Sequence, residues 1–167
     1  MTDHQFTEDY IDCVSPLLEN AQVQSMRRWP HHLTVSCYEH SVNVSMMAYH
    51  IAVHMGCDGR AAARAGLLHD FYLYAAKDFG YTPFQQAIAH PKAALKNAQA
   101  LCPDLSEIEA DAIANHMWPV SAHRPHSRVA LAVNLADKTC CVMEVAGVYH
   151  DRLKAFFVPD RITPDLP

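Results

Sequence analysis

The chain has 167 residues and a mass of 18.7 kDa, room for one domain with a single core and too little for two full-sized ones. Half of the residues are hydrophobic and 19% charged, which excludes a compositionally disordered chain, a collagen or a mucin-like stalk. The formal net charge is -5 and no basic cluster exceeds Arg27-Arg28, which argues against a duplex nucleic acid partner; no run approaches the roughly 20 apolar residues of a membrane span.

Taken in chain order, the sequence reads as helix after helix. Ser15-Pro16 is an N-cap and first helical residue for a helix that stops before Trp29-Pro30. Val44, Met47, Ile51 and Met55 recur at helical spacing over 36–55, and Gly56 closes the run. Asp58 caps a helix over 61–68 that ends at Leu-Leu-His-Asp. Gly80 to Pro83 is a loop, 84–89 a short helix, and Pro91 opens a further helix over 92–101. Ser106 and Glu109 form a capping box for a helix that reaches His116. A proline- and histidine-rich loop over 119–126 precedes a long apolar helix over 127–148, and the tail over 159–167 is expected to be loose. No period-2 alternation appears, so the expected fold class is all-α. The acidic N-terminus carries no apolar signal segment, and six cysteines without CxxC spacing read as reduced core residues; both lead to the expectation of a cytoplasmic protein.

The composition has one anomaly, twelve histidines against thirteen Lys and Arg together. Four of them, with two aspartates, sit where apolar residues belong. Asp137 lies in the run Val-Ala-Leu-Ala-Val-Asn-Leu-Ala-Asp, where a buried carboxylate costs several kcal/mol unless paired, protonated or bound to metal. Lys138, about 100° around the helix, reads as a poor partner for it. His40 heads the stripe of Val44 and Met47, His69-Asp70 ends a helix, His90 stands at an N-cap before Pro91, and His116 ends another helix. The set His40, His69-Asp70, His90, His116, Asp137 is spaced by 29, 20, 26 and 21 residues, about one helix and a turn each, so that a bundle can return all six to one point. Six N and O donors exceed what one tetrahedral zinc takes and suit two ions sharing a carboxylate. His50 and His54 lie about 15 and 21 Å along the helix from His40 and cannot join that point.

With these residues the sequence resembles the HD-domain superfamily of metal-dependent phosphohydrolases, whose pattern is H…HD…D with two further histidines in the dinuclear members. The resemblance runs over 32–144. It implies a bundle of about six to eight helices. It also implies one metal on His40, His69, Asp70 and Asp137, and a second on His90, His116 and the bridging Asp70. His69 and Asp70 would be the catalytic pair, and the two ions, Fe or Mn foremost and Mg, Ni, Co or Zn otherwise, would share a hydroxide. The string Ala-Gly-Leu-Leu-His-Asp-Phe-Tyr-Leu-Tyr is most similar to small bacterial HD hydrolases. The absence of Gly-Lys after the HD pair, and Met117 where a histidine would stand, separates the chain from cyclic-di-GMP phosphodiesterases.

The expected partner is a small phosphorylated metabolite such as a nucleotide. Lys92, Arg124, Arg128 and Lys138 are the candidate phosphate-binding cations, Trp118 and Tyr72 the candidate stacking walls, and His32, His123 and His126 the histidines able to edge the pocket. Two other readings follow from the same resemblance: a mixed-valence di-iron oxygenase with the same ligand types, and a catalytically silent nucleotide-binding regulatory domain.

Overall fold

A computed structural model describes residues 3–32 and 35–146, with the side chains of 8–31, 35–75 and 77–146; the expected tail, His150 and the side chains of His4 and His32 lie outside these. Among the described residues there are seven helices: α1 (Asp3–Leu18), α2 (Ala21–Gln24), α3 (Cys37–His54), α4 (Gly59–Leu68), α5 (Pro83–Leu101), α6 (Glu107–Asn115) and α7 (Arg128–Val145). The all-α expectation holds, with one small addition: β1 (Pro30–His32) and β2 (Val35–Ser36) form an antiparallel hairpin that leads into α3. No described helix is long and apolar enough to cross a membrane.

Local chemistry sets most of the boundaries. Ser36 accepts from the Glu39 amide while the Glu39 carboxylate accepts from the Ser36 amide, a reciprocal box that starts α3. The same device starts α5 at Thr82 and Gln85 and α6 at Ser106 and Glu109, and Asp58 and Ser127 cap α4 and α7.

Two sequence expectations fail at prolines. Pro16 lies in the last turn of α1 rather than opening a helix, and the Ser15 hydroxyl donates back to the Ile11 carbonyl at 2.6 Å. Asn20 then caps the short α2. Pro91 does not start a helix either; α5 runs through it for 19 residues. A proline inside a helix removes one backbone bond and costs about 3 kcal/mol. Here His90, Pro91, Ala94 and Ala98 are all buried, so packing on both sides of the proline holds the helix together.

The central element is α3, which packs chiefly against α4 and α7, with α6 between those two and α5 behind α6. It is buried on more sides than one stripe: Cys37, Tyr38, Val42, Val44, Met46, Ala48, Tyr49 and Ala52 all join the core. The tightest crossing is at Gly66 of α4, where a Cβ would stand 2.8 Å from the Ser45 Cα of α3. The Ser45 hydroxyl donates to the Ala63 carbonyl at 2.7 Å and accepts from the Tyr10 hydroxyl at 3.1 Å. Close backbone approach, which glycine alone permits, thus fixes α4 on α3 one turn before His69.

Candidate metal centre

Five elements deliver the six polar residues to one buried point. His40 stands in the second turn of α3, His69 is the C-cap of α4 and Asp70 follows it, His90 is inside α5, His116 is the C-cap of α6, and Asp137 is in the middle of α7. All six are buried, His40 and His69 completely.

The four imidazoles are oriented alike. Nδ1 of His69 lies 2.7 Å from the Gly66 carbonyl, Nδ1 of His90 2.8 Å from the Gln86 carbonyl, and Nδ1 of His116 2.8 Å from the Ile113 carbonyl. Nδ1 of His40 lies 2.8 Å from a Glu144 carboxylate oxygen. A carbonyl or carboxylate only accepts, so each Nδ1 is the donor, and each ring turns its Nε2 inward, as a lone pair when the ring is neutral. There Nε2 of His40 is 3.3 Å from Asp137 Oδ1, and Nε2 of His69 is 3.7 Å from both Asp70 Oδ2 and Asp137 Oδ1. Asp70 Oδ1 lies 3.2 Å from His90 Nε2 and 3.6 Å from His116 Nε2.

Two features show that this donor set fits a cation. The buried Nε2 of His69 has no hydrogen-bond partner among the described residues. The Nε2 atoms of His90 and His116 face each other at 2.8 Å although both rings already donate from Nδ1, so two lone pairs meet unless positive charge lies between or beside them. The electrostatics agree. Burial opposes charge on Asp70 and Asp137, but the neighbouring histidines outweigh it and hold both carboxyls well below their usual range. Burial pushes His40 down, yet its bonds to Asp137 and Glu144 lift it to about 10; Asp70 raises His90 against burial in the same way. His69 is lowered by burial, and His116, with His69 and His90 adding to burial, to about 3. Two carboxylates held anionic beside two imidazoles held neutral favour positive charge at the middle of the cluster. His40, His69 and Asp137 form one donor group and His69, Asp70 and His116 another, each with donor atoms within 4.8 Å of one another.

Supporting residues complete the geometry. The sequence reading missed Glu144, which fixes the His40 ring from two turns further along α7; its spacing of seven from Asp137 was the available signal. It also misjudged Lys138. The long side chain curls back, so Nζ lies 3.1 Å from Asp137 Oδ2 and 2.6 Å from the His116 carbonyl. Asn134 donates to the carbonyls of His116 and Trp118 at 2.6 and 2.7 Å, pinning the turn after α6. His31 stacks on His40 with ring centroids 3.9 Å apart and puts Nδ1 3.5 Å from Asp70 Oδ2. Cys141, one turn beyond Asp137, donates to Asp137 Oδ1 at 3.4 Å.

Above the centre opens a cavity of about 940 Å³, floored by Asp70, His90, His116 and Asp137 and walled by Arg28, Trp29, His31, Tyr72, Tyr74, Lys77, Gln86, Val120, Lys138 and Cys141 among others. Of the candidate substrate residues, Lys138 and Tyr72 line it. Lys92, Trp118, His123 and Arg124 do not: Lys92 is exposed and, because α5 runs through Pro91, has no helix N-terminus beside it. Arg128 donates to the Met55 carbonyl, and His126 pairs with Asp111 at 2.9 Å on the surface.

Comparison with protein families gives a match to the HD domain over residues 37–140, while comparisons with curated proteins and with solved structures give none. HD domains bind divalent metals, and most are metal-dependent hydrolases. The matched segment spans well over half of the chain and carries all six converging residues, and the chain belongs to the HD-domain family.

Proposed function

We propose that the chain is a metal-dependent phosphohydrolase that cleaves a phosphoester or phosphoanhydride of a nucleotide or another small phosphorylated metabolite. The observation that carries this reading is the division of Asp70: Oδ2 faces His69, whereas Oδ1 faces His90 and His116. One carboxylate with imidazoles on both oxygens suits two cation positions, the first completed by His40, His69 and Asp137, the second by His90 and His116. Divalent ions held there supply water activation near neutral pH and polarise a phosphoryl oxygen.

The protein's own groups do the rest. Asp70 and Asp137 stay ionised, and Glu144 with the three backbone carbonyls keeps the four Nε2 lone pairs turned inward. An ammonium has three N–H donors; Lys138 commits one to Asp137 and one to His116, and the third is available for a phosphoryl oxygen at the cavity wall. Arg28 and Lys77 also line the cavity, with Asp78 beside Lys77 at its mouth. The Lys138 ammonium next to the floor supports a phosphate substrate over the oxygenase chemistry of the alternative reading.

The test is metal analysis of the purified protein followed by phosphate release from a panel of phosphorylated metabolites with Mn²⁺, Asp70→Ala being the control. Release by the wild type alone supports the reading. A metal-replete wild type that releases no phosphate from any compound overturns it, and oxygen uptake by the iron-loaded protein would then favour the oxygenase.

A further inference from the structure

The cavity is far larger than a phosphoryl group requires, and its outer half differs from its floor. An aromatic wall starts on a donor ring: Tyr72 lies 5.5 Å from His90 and Tyr74 a further 5.1 Å from Tyr72, centroid to centroid. Both tyrosines line the cavity, as does Trp29. Leu73 between them holds φ at +49°, a left-handed conformation that a branched side chain adopts only under constraint and that accumulates at functional sites. Trp29 is half-buried and fixed by its backbone, donating to the Met26 carbonyl and accepting from the Cys37 amide at 2.8 Å.

A polar signal stands beside this wall. Gln86 lines the cavity one turn before His90 on α5, and its side chain meets the Tyr74 hydroxyl. Its Oε1 is buried and has no hydrogen-bond partner among the described residues. Leaving a buried carbonyl oxygen without a donor is costly, so a ligand that brings an N–H to it is favoured.

We propose that Trp29, Tyr74 and Gln86 form a subsite for the nucleobase of a nucleoside phosphate, with the ring on the aromatic wall and an amino or ring N–H donating to Gln86 Oε1. The subsite selects for nucleobases and against phosphate esters that lack a ring. Stacking tolerates many rings because every base has a π-face, whereas the unpaired acceptor discriminates by requiring a donor. The proposal rests on the phosphohydrolase reading for what lies at the other end of the ligand, since Lys138 and the centre floor then take the phosphate.

The chain has two tryptophans, and Trp118 is outside the cavity, so Trp118→Phe leaves Trp29 as the sole indole reporter. Titrating this protein, as purified with its metal, with adenosine 5′-monophosphate is expected to change Trp29 emission saturably. Ribose 5-phosphate is expected to leave that emission unchanged up to tenfold higher concentration. Gln86→Leu and Tyr74→Ala in the same background each weaken the nucleotide response by about tenfold. Equal responses to the two compounds, or no response to the nucleotide at millimolar concentration, overturn the subsite. The two readings fail separately: phosphate release without a Trp29 response removes the subsite alone, whereas a saturable response without phosphate release from any compound removes the phosphohydrolase alone.

Discussion

The floor of the cavity and its mouth are built by opposite means. The floor is helical: α3, α4, α5, α6 and α7 each present donors from a fixed face or cap, and every Nδ1 is tied to a carbonyl or to Glu144. The mouth is made largely of connecting segments, the 3₁₀ turn and hairpin over 25–32 and the stretch over 71–82 that follows Asp70, with Lys77 and Asp78 exposed. A rigid floor sets the chemistry, and a loop-built rim sets which molecule reaches it. Changes to the floor should therefore strike metal retention and stability, and changes to the mouth should strike substrate recognition.

The largest expected effect is from Asp70→Ala, which faces three histidines of the floor. It should reduce metal content and phosphate release to background together, and chelation should lower the melting temperature of the wild type but not of this variant, as metal analysis and thermal denaturation would show. Retention of full metal content would break the assignment of Asp70 to the floor. Next is Glu144→Ala, which removes the partner of the His40 Nδ1. It should weaken metal binding about 10–100-fold by calorimetric titration. Gly66→Ala probes the same floor through the backbone; with Ser45 Cα at 2.8 Å neither helix can yield, and the loss of stability should be about 1–3 kcal/mol in denaturant titration. At the boundary of the two regions, Lys138→Met should raise KM for a phosphate ester by about tenfold, the scale of one hydrogen bond to a charged group. An effect on kcat alone would move Lys138 from recognition to the floor.

The smallest effect lies outside both regions. Asp111 fastens the loop before α7, accepting from the amides of His126 and Ser127 at 3.0 and 3.1 Å. Burial raises its pKa, but the bonds from His126, Asn115 and Ser127 outweigh this and lower it. A carboxyl depressed in the folded state stabilises it above the usual carboxylate range and loses that contribution as pH falls through the folded value. Between pH 5 and 3 the wild type should therefore lose more stability than Asp111→Ala, by no more than about 1 kcal/mol at this partly exposed site.

The residues that were legible in the sequence are those whose direction a helix dictates. His40, His69, His116 and Asp137 interrupt apolar helical patterns, so their burial and convergence follow from periodicity. His90 reaches the cluster, 3.2 Å from Asp70 Oδ1, from a local structure the sequence did not predict: the proline after it suggested a helix start, and the packing of α5 overrode that suggestion. Lys138 was misread because the angle at the helix surface says nothing about where the end of a four-carbon chain returns. Of the two candidate stacking residues Tyr72 lines the cavity and Trp118 does not, while Trp29, Tyr74 and His31 line it unforeseen, because a loop residue's direction depends on contacts far away in the chain.

By itself, then, the sequence determined the helical class, the six polar residues that converge and the family to which their spacing belongs. Side-chain period and capping chemistry are local, and they survive any change in how helices are arranged. Only the tertiary structure decided that Asp70 divides its two oxygens between different imidazoles, that Glu144 fixes His40, and that the cavity is lined by Trp29, Tyr74 and Gln86. Apart from the Asp70 contact with its neighbour His69, these are meetings of segments at least 12 residues apart in the chain, brought together by helix packing such as the close crossing of α3 and α4 at Gly66 and the run of α5 through Pro91.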